Sequence, residues 1–335
     1  MLEAQPVAPV KCPYCSGQTF APWLDGVTDR LGIAGGTYTF LRCRDCDSAV
    51  LSPAPTTEEL AGLYPEVYSF HPSVAKGSKL KGLAAALEEQ VFFQPQYRMQ
   101  YRTMDSVLGP PAADARLLDL GCGVGQRLLA FRQRGYAVHG LDFLPAVVAH
   151  LKNELGIDAT CGNLLQLDQL FAESSFDVVT AFQVVEHVHD AQALLKSCFR
   201  LLRPRGWFMA TIPMGNSLQA TLLKERWCGV REAPRHLNLP SHEGLRRACS
   251  AAGFAAPEIR TDSLLNCAGL VGLSLLPDAA TTKVYAENSV RSVVNRLVAA
   301  GVTFAALPLC YVESHLLHRP ATALVFAQKP AAPLH

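Results

Sequence analysis

The period of the hydrophobic positions changes twice along the chain. Residues 1–70 hold aromatic and turn-forming residues with little helical periodicity. Over residues 71–113, Leu80, Leu83, Leu87 and Val91 recur at the spacing of one helix face, which predicts a helical connector. Gly109-Pro110-Pro111 breaks that pattern. From Arg116 onward short apolar runs alternate with amphipathic stretches. Residues 117–120, 137–141, 157–161, 176–182, 207–212, 257–261 and 321–328 read as strands. Between them lie a helix that runs to Arg134 and stops at Gly135, one that starts near Pro145 and ends at Gly156, and one over 190–202 closed by Arg203-Pro204-Arg205-Gly206. A fourth helix is capped by Ser241 and ends at Gly253. Such alternation predicts an α/β fold with a doubly wound, mostly parallel, seven-stranded sheet covered by helices on both faces. Residues 263–319, with apolar stretches over 264–276 and 297–311, read as a helical insertion before the last strand. The predicted layout is an N-terminal domain over 1–70, the connector over 71–113 and the α/β domain over 114–335.

Composition narrows the function classes. With 49% hydrophobic and 18% charged residues, the chain supports an ordinary core and does not read as disordered. A net charge of +1 leaves no basic field for a long phosphate backbone, so no nucleic-acid partner is expected. The first six residues have neither a basic nor an apolar region, so they do not read as a secretory signal and a cytoplasmic location is expected. The 297–311 run is too short to span a bilayer and contains Pro308. Its bland reading is a core or cap helix, its sharper one a peripheral membrane contact.

In a reducing compartment the eleven cysteines point to metal or redox work more than to structural disulfides. Cys12-Pro13-Tyr14-Cys15 and Cys43-Arg44-Asp45-Cys46 are two knuckles of the kind that supply four thiolates to a tetrahedral zinc ion. A thioredoxin-like redox site would use one such pair within a βαβ unit. A closed four-sulfur site leaves no open coordination position, so its role would be structural. The other seven cysteines read as small buried side chains.

Asp119-Leu120-Gly121-Cys122-Gly123-Val124-Gly125 lies between a predicted strand and a predicted helix. Glycines there let the backbone approach a ligand and aim helix N-terminal N–H groups at it. A dinucleotide fingerprint wants glycine or alanine where Gln126 stands. Asp119 would repel a pyrophosphate and attract an ammonium group. Asp142, about twenty residues on, stands where an acid accepts hydrogen bonds from ribose hydroxyls. Gln126 and Asp119 thus speak against a nicotinamide-dependent oxidoreductase.

Residues 117–126 resemble the first motif of the class I S-adenosylmethionine-dependent methyltransferases, which have a Rossmann-like fold. Ser175-Phe176-Asp177-Val178-Val179 with Val185-Glu186-His187-Val188 resembles their fourth-strand motif, and Leu201-Leu202-Arg203-Pro204-Arg205-Gly206-Trp207 their fifth. The resemblance covers about residues 115–330. It implies a cofactor set of Asp119, Gly121, Cys122, Gly123, Gly125, Asp142, Phe143, Asn163, Leu164, Phe182 and Gln183. Residues 161–164 would border the adenine, with Asn163 where an acid is usual. The 38–68 stretch is similar to zinc-ribbon segments that precede methyltransferase domains in bacterial sugar, cell-surface glycan and natural-product pathways. Residues 185–188 also resemble ubiquinone-pathway and small-RNA O-methyltransferases, some of which bind magnesium through Glu-x-x-Glu-His. Gln183 stands in place of the first acid, which speaks against magnesium here.

Methyl transfer to a hydroxyl needs a base. His187 is the first candidate, with Glu186 or Asp190 orienting it. His236, in Ala233-Pro234-Arg235-His236-Leu237, is the second, and His189, Tyr64 and Tyr68 follow. The expected acceptor is a small molecule, a sugar or a lipid-linked glycan. A zinc-ribbon scaffold that binds S-adenosylmethionine without catalysis is the alternative.

Overall fold

The computed structural model describes residues 11–64, 90–91, 94–276 and 290–331. Leu80, Leu83 and Leu87 of the expected connector, and Tyr68, lie outside them.

The N-terminal part holds strands β1 (Phe20–Val27), β2 (Tyr38–Cys43) and β3 (Ala49–Leu51), then a short helix α1 (Thr57–Ala61). Thr56 accepts from Glu59 N–H and Glu59 accepts from Thr56 N–H, a capping box that fixes the start of α1. Helix α2 (Gln94–Leu108) leads into β4 (Arg116–Leu120), α3 (Gln126–Gln133), β5 (Ala137–Asp142), α4 (Pro145–Leu155) and β6 (Asp158–Cys161). After α5 (Leu167–Leu170) come β7 (Phe176–Phe182), α6 (Ala191–Leu201), β8 (Leu202–Pro213), α7 (Leu218–Leu223), β9 (Asn238–Leu239) and α8 (His242–Ala252). The chain closes with β10 (Glu258–Thr261), α9 (Leu264–Leu275), α10 (Val290–Tyr311) and β11 (Thr322–Gln328).

The expected seven-stranded sheet is present, in the order β10-β11-β8-β7-β4-β5-β6. Strands β4 to β8 run parallel, and β11 is antiparallel to both its neighbours. Alternation along β4 divides the core. Leu118 and Leu120 join Val179, Leu195, Phe208 and Phe254 on the α6–α8 face. Leu117 joins Leu128, Phe131, Leu151, Val178 and Met209 on the α2–α3–α4 face. Both faces are covered, which explains why these strands read as nearly continuous apolar runs. The caps follow their residue types: Asp190 and Ser241 accept from the first-turn amides of α6 and α8, Pro145 opens α4, and Gly156 and Gly253 close α4 and α8 in the left-handed conformation.

Two features differ from the expectation. The stretch Arg203-Pro204-Arg205-Gly206 is not a loop: β8 starts at Leu202, and a register shift against β7 absorbs the left-handed Arg205. A separate antiparallel sheet, β1-β2-β3-β9, takes its last strand from residues far along the chain. Among the described residues no helix is long and apolar enough to cross a membrane.

A buried ion cluster holds this smaller sheet in place. The Arg235 guanidinium, 0% exposed, donates to both Asp29 oxygens at 3.0 and 2.6 Å and to Glu232 at 2.9 Å. Arg30 also pairs with Glu232. Burial opposes ionisation of Asp29 and Glu232 more than any single contact favours it. The facing arginines, with backbone N–H groups at Asp29, nevertheless hold both carboxyls below their ordinary range. Stability from a lowered carboxyl is present above its unfolded pKa of about 4 and is lost as the pH falls through the folded value. Arg235→Met should therefore cost about 3–5 kcal/mol at pH 7, because Asp29 loses its buried guanidinium and Glu232 keeps only Arg30. Denaturant titration checks this, and the gap between wild type and variant should narrow below pH 4. An unchanged midpoint would refute the role.

Candidate active site

In a doubly wound sheet ligands bind outside the carboxyl ends of the strands, where strand order reverses. Here that point lies between β4 and β7. The glycine turn leaves β4 there. Gly121, Gly123 and Gly125 all have positive φ, and a Cβ on Gly125 would lie 2.4 Å from Leu151 Cδ2. The turn therefore needs glycine for both conformation and space. Gly125 is the residue just before the first turn of α3. Asp142, at the end of β5, accepts from Gly123 N–H at 3.1 Å and from Leu144 N–H at 3.0 Å. Two of its roughly four acceptor sites are thus used to fix it against the turn and its own loop. Burial raises its pKa.

The other expected cofactor residues sort into distinct roles. Asp119 is 2% exposed and accepts from Thr180 Oγ1 at 2.6 Å, while burial pushes it up to about 6. Cys122 turns its thiol into the core beside Gly140, so it faces the turn through its backbone alone. Phe143 is 43% exposed, a large apolar ring left open beside Asp142. Asn163 uses its carbonyl to accept from Leu165 N–H, which leaves its NH₂ group to donate. Leu164 is half-buried. Phe182 is buried, stacked on Phe131 and covered by the Arg127 guanidinium at 4.0 Å. Gln183 has φ 57 and bonds through its backbone and its amide to Thr211.

Arg127 was not anticipated. It stands in the first turn of α3, over Phe182, and donates to Gln100 Oε1 at 3.1 Å. Its only sequence signal is its place two residues past Gly125.

Beyond β7, Glu186, His187 and His236 come together, with one ligand-type atom from each lying within 4.8 Å of the others. His187 Nδ1 lies 2.9 Å from the Arg235 carbonyl and 2.8 Å from Tyr64 Oη. A carbonyl only accepts, so Nδ1 carries the proton and Nε2 keeps its lone pair. His236 Nδ1 lies 2.6 Å from the Gly229 carbonyl, and the same argument leaves its Nε2 bare. The two rings meet edge to face at 4.8 Å. Glu186 is 0% exposed, and among the described residues neither carboxyl oxygen has a hydrogen-bond partner. Burial, followed by the charge of Glu232, pushes it up to about 8. Asp190 does not join this group, since its carboxyl caps α6. His189 is exposed and bonds to the Pro55 carbonyl. Tyr64 joins the two halves of the site, touching Phe143 and His187 edge to face.

The four N-terminal cysteines are gathered as their spacing suggests. Cys12 and Cys46 sulfurs are 3.6 Å apart, as are those of Cys15 and Cys43, and all four lie within 4.8 Å of one another. With a zinc–sulfur distance of about 2.3 Å, tetrahedral ligands stand about 3.8 Å apart, so the set fits such an ion. Burial adds cost to any thiolate left without a cation: it is the first cause that raises Cys15 to about 11.

Among solved structures, the chain is similar to a SAM dependent methyltransferase from Archaeoglobus fulgidus, at 16% identity and TM-score 0.45 over 73% of this chain and 99% of that one. Residues 94–258 match the family described as Methyltransferase domain. A Mycolicibacterium smegmatis protein, named a probable S-adenosylmethionine-dependent methyltransferase, is 38% identical over 29% of this chain and 37% of its own. The ubiquinone biosynthesis O-methyltransferase of Pseudomonas entomophila is 36% identical over 30% of this chain and 45% of its own. The chain thus spans less than half the length of the curated relatives it matches.

Burial is the first cause that lowers both imidazoles, His187 to about 3 and His236 to about 4. Below about pH 6.5 an unfolded chain takes up protons that these two sites refuse, so they lower stability as the pH falls. NMR of the two rings should show no titration between pH 8 and 5. A midpoint near 6.5 for either ring would contradict the burial argument.

Proposed function

We propose that the methyltransferase domain carried by residues 94–258 binds S-adenosylmethionine at the glycine turn and transfers its methyl group to a small-molecule, sugar or lipid-linked glycan acceptor. The observation that carries this reading is the junction of the glycine turn with Asp142 at the β4–β7 reversal, next to Glu186, His187 and His236. Asp142 would hold the ribose hydroxyls, Phe143 and Leu164 would flank the adenine, and the amide of Asn163 would point toward it. Asp119, Gly121, Cys122, Gly123, Gly125, Phe182 and Gln183 complete the wall, Cys122 through its backbone and Phe182 from beneath. The cofactor supplies a sulfonium-activated methyl group. The residues of this chain hold the acceptor in line and take its proton. His187 Nε2 is the acceptor of that proton. Ionised Glu186 would steady the resulting imidazolium, with His236 closing the far side.

In this layout 1–70 is a zinc ribbon, 71–113 a connector and 114–335 the catalytic domain, with residues from about 263 to 319 inserted as helices. Cys12, Cys15, Cys43 and Cys46 would hold a structural zinc ion and replace core that so small a segment lacks. A second reading of the acceptor side rests on the unpartnered carboxyl oxygens of Glu186. One carboxylate and two imidazoles, each braced through Nδ1 by a carbonyl, form a ligand set for a divalent transition metal. Metal analysis separates the two readings. One zinc per chain, lost in Cys43→Ser, supports the ribbon with a metal-free trio. A second equivalent lost in Glu186→Gln would favour the metal reading.

Calorimetry should detect S-adenosylhomocysteine binding, weakened in Asp142→Ala and unchanged in His187→Ala. His187→Ala should lower turnover about 10²–10⁴-fold. Because Glu186 must ionise, wild-type turnover should rise with pH through about 8, and Glu186→Gln should flatten that rise. Binding of NAD without any response to S-adenosylhomocysteine would reject methyl transfer.

A further inference from the structure

Helix α10, with the single π-helical turn Val312–Leu316 that ends it, packs on α9 through one face only. Thr303, Ala306 and Cys310 are buried, the last two against Cys267, Ala268 and Val271 of α9. These positions recur at three and four residues, so the opposite face turns outward. It carries Val298, Phe304, Leu309, Tyr311 and Val312, all exposed, with only glycine, alanine and proline at the exposed positions between them. Leu316 and Leu317, also exposed, continue it. From Val298 to Val312 this stripe runs for about 21 Å without one charged side chain. A surface helix ordinarily shows water its polar face, and an uncovered apolar stripe of this kind marks a contact surface.

Sheet topology puts the stripe on the side of the molecule where the glycine turn opens. Strand β11 is antiparallel to β8 and to β10, so β10 runs in the same direction as β4 and β7. The chain therefore leaves the sheet into α9, and returns to it from α10, at the carboxyl ends of the parallel strands. Gln219 of α7, which follows β8, joins the insertion there by donating to the Cys267 carbonyl and to Glu313. The end of the stripe is cationic. Leu316 and Leu317 stand between His315 and the pair His318-Arg319, and both histidines share a wall with Arg246. The carboxyls nearby are buried or engaged: Asp262 and Glu313 are out of water, Glu243 is held by Arg247 and Glu258 by Arg260. Among the described residues this leaves Arg246 and Arg319 with no ion pair, the latter donating through Nε to the Asn216 carbonyl.

We propose that this face docks on the surface of an anionic bilayer, with the stripe in the boundary between headgroups and acyl chains and the two arginines at headgroup level. A bilayer supplies both things the face lacks, an apolar layer and negative charge. A second copy meeting it through the same stripe would cover the apolar side chains but offer the arginines no carboxylate. The docking does not depend on the function proposed above. Joined to that function, it narrows the acceptor to a lipid-linked one, because the bilayer then lies on the side of the sheet that holds the glycine turn and His187.

The test is flotation of the full chain with phosphatidylcholine vesicles, with and without phosphatidylglycerol. Thermal unfolding of each variant and calorimetry with S-adenosylhomocysteine accompany it. The wild type should float with the acidic vesicles. Val298→Asp combined with Leu316→Asp should lower the bound fraction about tenfold, and Arg246→Ala combined with Arg319→Ala should remove the preference for acidic lipid. Unchanged melting temperatures show that both variants are folded. No flotation, equal flotation with both vesicles, or flotation that ignores either pair of substitutions overturns the docking. A chain that sizes as a dimer, ignores vesicles and dissociates in the aspartate pair also overturns it, and makes the stripe a contact between copies. Vesicle binding without S-adenosylhomocysteine binding rejects methyl transfer and leaves the docking standing; the reverse result overturns the docking alone.

Discussion

The organisation of this protein depends on one segment, residues 232–241, being held from two sides. Arg235 sits between Asp29 of the N-terminal part and Glu232 of its own segment, fully out of water. Immediately after it, β9 adds to β3 as the last strand of the smaller sheet. Leu237 N–H donates to the Glu186 carbonyl, and Asn238 donates to that of Val188, so the same few residues grip the loop after β7. Tyr14, inside the first cysteine knuckle, donates to Asn238, and Ser241 donates to the carbonyl of Cys46. A buried guanidinium cannot leave its carboxylates without a large desolvation cost. Knuckles, β9, His187 and His236 are consequently placed as one unit.

That placement determines the electrostatics of the site. Glu186, His187 and His236 are crowded where water cannot reach the Glu186 carboxyl, so each group resists its charged form: the carboxyl is pushed up and the imidazoles down. His187, expected as the base, is held neutral throughout the physiological range. Its tautomer is fixed by the Arg235 carbonyl, and the group whose ionisation lies nearest neutrality is the Glu186 carboxyl. The glycine turn works differently. Its backbone N–H groups and Asp142 are held rigid by glycine conformations and by the close approach of α4.

Much of the α/β domain follows from local chemistry. Strand and helix order, the caps at Asp190 and Ser241, the left-handed stops at Gly156 and Gly253, and the turn at Gly121–Gly125 each depend on residues within a few positions of one another. The two cysteine knuckles meet across 34 and 28 positions, and were legible because their type and spacing leave few other uses. The bulged start of β8 was hidden because Arg203-Pro204-Arg205-Gly206 carries turn chemistry, and only pairing with β7 makes it a strand.

Propensity, capping and motif spacing act over a handful of bonds, which is why the strand–helix alternation from β4 onward and the glycine turn were legible in the residues alone. Tertiary structure alone decided that β9, only two residues long, belongs to the N-terminal sheet, and that Tyr64 reaches His187 across 123 positions. Those outcomes depend on groups distant in the chain meeting where water is excluded. Burial, not residue type, then sets which carboxyl holds its proton and which imidazole refuses one.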